Sequence, residues 1–496
     1  MQRGGQAGYG SRVHRLRFFW VAATCLGLAP ADVSGADPQS PWRLSRQLDL
    51  PAWLEISGEQ RTRYETLDGQ FRAGRDGGDQ ALTFRTSLKA QFKAEPGRIV
   101  TEFLDARQYL SDDGSPIDPT MVNALDVLQA HARWDAADLI PGGTNTVRMG
   151  RETLDLGNRR LVARNAYRNT INSFTGLDWL WQADGGAWVR AFHFLPVRRL
   201  PEDVDSLLEN DVAADTQSFD QQFWGVYGDA GKLPLKFHLE GYYLRLQEEA
   251  SEVFRRRHLH TPGLRLYRSA APGEWDVEME STIQFGTSQQ RAGTGQPNLD
   301  HLAHHQHATL GYTLDLIWRP RAAVRYDYAS GDADPNDGNN GRFDTLFGAR
   351  RFEFGPTGIY GAVPRANLNS PEYSLSMRPR PNLELSVSHR FLWLAEARDA
   401  WDGGWSPGCQ RCVRDGTGAA TGVPGPLGSG SRKRSAGYRA HPPVRGRIPA
   451  HRAEFDPRGR RELCVSGTDV AVLSRCIWNR RGEAEKWYRK RTGWQT

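Results

Sequence analysis

The sequence predicts an all-β fold, an antiparallel transmembrane β-barrel, and three observations lead there. Long segments alternate apolar and polar residues. No segment after the N-terminus stays apolar for the roughly 20 residues that a membrane helix needs. The N-terminus itself reads as an export signal. The clearest alternation is ALTFRTSLKAQFKAE at residues 81–95. Leu82, Phe84, Leu88, Ala90 and Phe92 fall on one side, and Arg85, Ser87, Lys89, Gln91 and Lys93 on the other, because successive side chains of a strand point to opposite faces. In a membrane barrel the apolar face meets lipid and the polar face a wet interior.

Composition agrees with that fold. The 496 residues are 39% hydrophobic with a mean hydropathy of −0.62, and a closed sheet looks hydrophilic on average because half of each strand faces water. The 16 Trp, 15 Tyr and 20 Phe suit aromatic girdles at two membrane interfaces. A single barrel uses most of such a chain as one domain, where length alone would suggest two or three soluble ones.

The N-terminal segment comes first in the chain. Arg3, Arg12, Arg15 and Arg17 form a basic region, Phe18 to Leu28 an apolar run, and Ser34, Gly35 and Ala36 a small-residue cleavage site. We expect residues 1–36 to be a signal peptide, cut after Ala36. Cys25 lies inside the apolar run without the small residues after it that lipidation would want.

About fifteen strands follow, with approximate spans 53–65, 82–95, 98–108, 125–136, 144–152, 174–183, 186–195, 221–229, 235–247, 262–269, 274–286, 307–318, 321–329, 371–378 and 382–396. Two further segments illustrate the pattern. Trp275, Val277, Met279 and Ile283 oppose Asp276, Glu278, Glu280 and Gln284; Leu383, Leu385, Val387 and Phe391 oppose Glu384, Ser386, Ser388 and Arg390. Tight turns such as Glu95-Pro96-Gly97 and Asp184-Gly185-Gly186 alternate with long polar connections at 66–81, 198–220, 287–306 and 330–366, as outer-membrane barrels show.

Residues 37–405 thus read as the barrel, and 406–496 depart from it. The tail is rich in Arg, Gly and Pro, lacks alternation, and holds Cys409, Cys412, Cys464 and Cys476. It carries 16 Arg and 3 Lys against 7 acidic residues, a net charge of +12, whereas the whole chain is +6 and the first 405 residues therefore −6. The basic pI belongs to the tail, so the body offers no surface for nucleic acid. We expect the tail to be disordered or the product of a reading-frame shift near codon 403, which would leave the barrel incomplete.

Three stretches resemble the alginate export family of outer-membrane barrels. VRMGRETLDLGNRRLVARNAYRNTINSFTGLD (147–178) is similar to that family's Gly-Arg-acidic strand end, Gly-x-x-Arg-Leu loop and Phe-x-Gly strand start. DYASGDADPNDGNNGRFDTLF (327–347) resembles its Ser-Gly-Asp, Asp-Pro and Phe-Asp-x-Leu-Phe loop, and HRFLWLAEARDAW (389–401) a late strand with its turn. With 102–107, the resemblance spans about residues 50–402. It implies a barrel of about eighteen strands that passes an anionic polysaccharide outward through an Arg-rich lumen.

Strand alternation supplies the candidate residues. Arg61, Arg63, Arg85, Lys89, Lys93, Arg133, Arg148, Arg265, Arg325 and Arg390 share the polar face with Glu59, Asp135, Glu152, Asp276, Asp327 and Glu384. Guanidinium groups bind planar carboxylates in a bidentate way, so such a ladder could hand a polyuronate from site to site, with the acids keeping each site weak. The same charges could instead pair with each other and fill the interior. Arg159, Arg160, Arg164 and Arg168 crowd one loop, either guiding polymer or facing solvent, and the acidic stretch 201–220 reads as a solvated loop.

No cofactor and no metal are expected. Asp332, Asp334, Asn336 and Asp337 miss the Gly and Glu of a calcium loop; His301, His304, His305 and His307 read as a surface loop, without a zinc spacing. Cys409 and Cys412 lack a second pair. No Gly-x-Ser-x-Gly or phosphate loop appears, so an enzyme is not expected. The expectation is an outer-membrane channel, with a small-solute porin or a plugged structural or adhesive barrel as alternatives. Expected partners are membrane lipid, lipopolysaccharide, an anionic polysaccharide and the barrel-assembly machinery, with the chain a monomer.

Overall fold

In the computed structural model the residues described are 50–69, 77–112, 114–136, 139–349, 351–355, 358–361, 363–399 and 471–480. The expected signal peptide at 1–36 and most of the tail lie outside them. Strands β1 (Leu54–Leu67), β2 (Asp79–Ala94), β3 (Gly97–Tyr109), β4 (Asn123–Ala136), β5 (Gly143–Glu152), β6 (Phe174–Ala183) and β7 (Trp188–Pro196) are followed by a short helix α1 (Val204–Glu209). Then come β8 (Gln221–Asp229), β9 (His238–Glu248), β10 (Arg257–Arg268), β11 (Trp275–Ser288), β12 (Leu299–Thr313), β13 (Arg321–Ala329) and β14 (Asn339–Asn340). The last elements are α2 (Arg351–Phe354), β15 (Leu368–Arg380), β16 (Leu383–Leu392) and β17 (Ala471–Arg480).

Each strand pairs antiparallel with the next in chain order, β13 passing directly to β15. The two-residue β14 lies parallel to β12 instead. This is an all-β antiparallel barrel. Short turns alternate with long connections around it: β2 reaches β3 across residues 95 and 96, whereas β5 reaches β6 across 153–173 and β13 reaches β15 across 330–367.

Burial runs opposite to that of a soluble sheet. Leu88, Ile99, Phe103, Met149, Leu264, Met279, Leu302 and Val324 are exposed, while Arg85, Glu102, Gln129, Asp178, Glu240, Asp327 and Arg390 are buried. Alternation puts these two sets on opposite faces, so the apolar face is the outer one and the polar face the inner. In β1 and β2 the register pairs Tyr64 with Leu82 and Arg61 with Arg85, keeping like with like across the ladder. Trp53, Trp134, Trp275 and Trp318 are all exposed near the short turns, where an interfacial girdle belongs.

Two expectations need correction. Strand β12 begins at Leu299 rather than near 307, so His301, His305 and His307 are buried on its inner face and do not form a surface loop. Histidine and glutamine on both faces of 301–306 hide the alternation. The acidic connection 201–220, read as solvated, is anchored: Leu207 of α1 is fully buried with Ile117, Met121 and Val122, and the Asn210 side chain exchanges hydrogen bonds with the Gln108 backbone at 2.8 and 3.0 Å.

Candidate functional site

The barrel interior is crossed by two long connections. From β5, residues 153–173 run inward and place Leu154, Leu156, Leu161 and Val162 against Phe174, Phe192, Phe194, Phe223 and Tyr242 of the wall. The β14–β15 segment meets them there. Val162 and Phe347 form a parallel bridge, in which Phe347 N donates to Leu161 O at 2.9 Å and Ala163 N to Phe347 O at 3.1 Å. Phe347 stacks edge-on against Phe174 and Phe223, with ring centres 5.2 and 5.0 Å apart. Gly348 permits this approach: a Cβ there would lie 1.8 Å from Arg160 O.

Arg160 is the hub of the polar part. It donates to Glu353 Oε1 at 2.7 Å, to Glu278 Oε1 at 2.7 Å and to Glu280. Arg365, itself buried, donates to Glu353 and to Arg160 O, the latter at 2.7 Å. From β10, Arg265 bridges Glu240 at 2.8 Å and Glu278 at 2.9 Å; Tyr227 donates to Glu240 at 2.6 Å and Tyr242 to Glu280 at 2.8 Å. Burial alone would strip the proton from Arg160 and add one to Glu353. Their mutual charges win, holding Arg160 well above the usual guanidinium range and Glu353 well below the usual carboxylate range.

On the opposite wall the partners are carbonyls. Arg61 donates to Ala166 O at 2.9 Å and Arg168 O at 2.6 Å; Arg85 reaches the same two oxygens at 2.6 and 3.0 Å; and Arg63 donates to Tyr167 O at 2.6 Å. The connection 153–173 is therefore held at both ends, by acids of β11 and by arginines of β1 and β2.

The remaining sequence-predicted residues spread over the inner wall without converging on one point. Arg85 also pairs with Glu59. Lys93 pairs with Glu55 at 3.0 Å near the short turns, and Lys89 lies midway along β2. Arg133 and Arg98 share Asp135 at 2.7 and 3.1 Å. Arg148 and Arg190 share Asp178, with Glu152 at 3.6 Å from Arg190. Arg325 and Arg390 share Glu372, and Arg390 adds Asp327 at 2.8 Å. Asp276 takes Arg321, and Glu384 takes Arg378 at 3.4 Å.

Arg160 and Arg164, expected in a loop that guides polymer or faces solvent, lie inside: Arg164 pairs with Glu102. Sequence reasoning missed Glu353 and Arg365 entirely, since their segment has no periodicity. Glu278 and Glu280 stood in the alternating pattern of β11 but carried no sign of a partner in a distant loop.

His307, Asp327 and Glu353 are close enough to share an ion, with His307 Nδ1 at 2.6 Å from Asp327 Oδ1. They do not suit one. Arg390 already neutralises Asp327, and Arg160 and Arg365 neutralise Glu353, so a cation would face three guanidinium groups.

Comparison with solved structures returns outer-membrane porins. OpdK of Pseudomonas aeruginosa, determined with vanillate, is 12% identical, covers 68% of this chain and 82% of its own, and has a TM-score of 0.46. A BenF-like porin from Pseudomonas fluorescens Pf-5 is 10% identical over 69% of this chain and 82% of its own, with a TM-score of 0.45. OccK2 (OpdF) of P. aeruginosa is 12% identical, covers 68% and 80%, and scores 0.42. No curated protein matches the sequence. The profile of the alginate export family matches residues 52–423. Spanning the barrel from its first strand onward, that match makes the chain an outer-membrane channel protein that belongs to the alginate export family.

Proposed function

We propose that this channel passes an anionic polysaccharide of the polyuronate type, or a smaller polar anion, past the cation-bearing inner face of β1 and β2. The observation that carries this reading is the convergence of Arg61, Arg63 and Arg85 on main-chain oxygens at 166–168. A carbonyl satisfies the donor geometry of a guanidinium without cancelling its charge. Glu59 and Glu65 are the acids paired with Arg85 and Arg63, while Arg61 donates to main-chain and amide oxygens, which leaves positive potential for a passing carboxylate.

Magnitudes fit transit rather than capture. At 4 Å and an effective dielectric constant of about 20 the attraction is about 4 kcal/mol, and the carboxylate loses much of that in dehydration. The acid-paired residues Lys93, Arg133, Arg148, Arg265, Arg325 and Arg390, with Asp135, Glu152 and Asp327, would line the route as weaker steps. The channel would work as a monomer after signal-peptide removal and insertion by the barrel-assembly machinery, with lipid and lipopolysaccharide around it.

Conductance of the refolded protein in planar bilayers tests this reading. Anion-selective current that falls on addition of oligouronate supports it, and current indifferent to oligouronate supports a small-solute porin. Absence of current supports a plugged barrel with a structural or adhesive role, a reading favoured by the apolar packing of Leu156, Val162 and Phe347 across the interior.

A further inference from the structure

The outward face of β8, β9 and β10 carries a polar patch set into apolar surface. Arg245 of β9 stands opposite Trp224 of β8 and His260 of β10, and the row continues to His193 of β7 and Phe285 of β11. Their chain neighbours Phe223, Leu244, Leu246 and Leu259 are buried on the inner face, so the row itself points toward lipid. Leu177 and Leu302, both exposed, close it at the two sides. The end of β9 near Arg245 pairs with the start of β8, where the long connection 197–220 arrives, and long connections mark the extracellular side of such barrels.

Among the described residues Arg245 has no carboxylate in ion-pair contact; its guanidinium donates to His260 Nε2 instead. A ring nitrogen that accepts belongs to a neutral imidazole, whose other nitrogen, Nδ1, carries the hydrogen and meets the Tyr243 hydroxyl. The histidine therefore orients the arginine and leaves its charge whole. By contrast Arg107, outward-facing at the same end of β3, has Asp105 at 3.0 Å. The nearest acid on this side, Glu249, is taken by His258 at 2.8 Å and Arg256 at 3.5 Å. Aromatic rings frame the site: Trp224 packs on Tyr243 with centres 5.7 Å apart, and His260 lies parallel to Phe285 at 5.0 Å. Such rings belong at headgroup level. An arginine turned toward lipid without a counter-charge is costly, and the membrane is the side from which an anion can reach it.

We propose that Arg245, framed by Trp224, Tyr243 and His260, is a binding site for a phosphate group of lipid A, the acylated and phosphorylated disaccharide of lipopolysaccharide. A guanidinium fork takes two phosphate oxygens at once. Gln222, Gln247 and His258 form the next row toward the extracellular side and offer polar groups to the sugar hydroxyls. Toward the midplane Val226, Ile283 and Leu264 are exposed, a surface on which acyl chains can lie. Position selects the lipid: the patch stands at the long-connection end of the barrel, and lipopolysaccharide fills the leaflet on that side. The site faces away from the lumen, so it does not depend on what the channel carries.

The test is titration of the full chain, refolded in detergent, with lipopolysaccharide truncated to lipid A and its inner sugars, read by native mass spectrometry and thermal stability. Dephosphorylated lipid A and phosphatidylglycerol are the comparison lipids. The expected result is one molecule bound per chain, a raised melting temperature, and binding at least tenfold weaker for both comparison lipids. Arg245→Gln, with folding checked by heat-modifiable gel mobility, should lose at least tenfold in affinity and keep the wild-type conductance, while Arg107→Gln should bind as the wild type does. Arg245→Lys keeps the charge but loses the fork; it should bind several-fold more weakly, and it reads the site if Arg245→Gln does not fold. No binding by the wild type, or unchanged affinity in the folded Arg245→Gln or Arg245→Lys protein, overturns the proposal. Equal binding of dephosphorylated lipid A overturns it as well, and equal binding of phosphatidylglycerol overturns the assignment to lipid A.

Discussion

Arg160 Nε donates to Glu353 Oε1 at 2.7 Å, and through this contact the β5–β6 connection holds the β14–β15 segment inside the barrel. Replacing Arg160 with Ala leaves the buried Glu280 without a guanidinium partner and takes one from Glu278 and one from Glu353, which keep Arg265 and Arg365. Breaking a buried pair from one side costs about 3–5 kcal/mol. Urea unfolding followed by tryptophan fluorescence should show a loss of that size, and the same variant should conduct more, because both connections lose their common anchor.

Arg61 and Arg85 provide the sharpest test of anion passage. The double substitution Arg61→Gln and Arg85→Gln keeps donors for the carbonyls at 166 and 168 but removes two charges. Hydrogen bonds to charged groups contribute about 1.5–3 kcal/mol, so the oligouronate concentration for half-block should rise about tenfold or more. Equal block in wild type and variant would count against the proposed route.

Gly348 should tolerate no side chain. A Cβ would sit 1.8 Å from Arg160 O, and the obstacle is backbone rather than a flexible side chain. Gly348→Ala is expected to cost at least about 1–3 kcal/mol, the range for overpacking, and to part the two connections. Noisier single-channel current would report that parting.

Leu88 and Arg85 test which face meets lipid. Leu88 is 51% exposed and Arg85 is 3%. A charged residue on the lipid face costs about 2–4 kcal/mol near the bilayer midplane. Leu88→Arg should therefore destabilise the protein by that amount in vesicles, and Thr83→Arg on the inner face by a different route, crowding rather than depth. A Leu88→Arg protein as stable as wild type in bilayers would contradict the assigned facing.

Two aspartates in the long connections set opposite pH dependences. Burial alone would raise the Asp344 carboxyl, but Arg257 and Arg255 beside it hold it well below the usual range. Its stabilisation is present above the unfolded carboxyl range, near pH 4, and is lost as pH falls toward the folded value. Asp215 runs the other way: with its carboxyl raised to about 7 by burial and the neighbouring Asp126, its contribution is fullest below about pH 4 and fades as pH rises through about 7. Asp344→Asn should therefore be destabilising at pH 7 but not in strong acid, whereas Asp215→Asn should stabilise progressively from pH 5 to pH 8. Thermal melts from strong acid to pH 8 check both.

The facing of β2 was legible from residues 81–95 because lipid and water demand opposite chemistries on alternate side chains. His301 to His307 were misread because polar residues fall on both faces of β12, so periodicity gives no contrast there. Inward positions of Arg61, Arg85 and Arg390 followed from alternation, but their partners did not. Arg61 ends on carbonyls more than a hundred residues away, and a strand pattern says nothing about where a connection folds. Glu353 and Arg365 belong to such a connection, fixed by tertiary contact alone.

Arginines of β1 and β2 hold the crossing segment by its peptide oxygens at 166, 167 and 168. Every residue type supplies the same oxygen, so the hydrogen-bonded part of the clamp does not depend on the side chains at 166–168, although the Arg63 guanidinium also lies over the Tyr167 ring at 4.9 Å. The side chains of this crossing stretch are thus free to drift or be redesigned while the scaffold stays put.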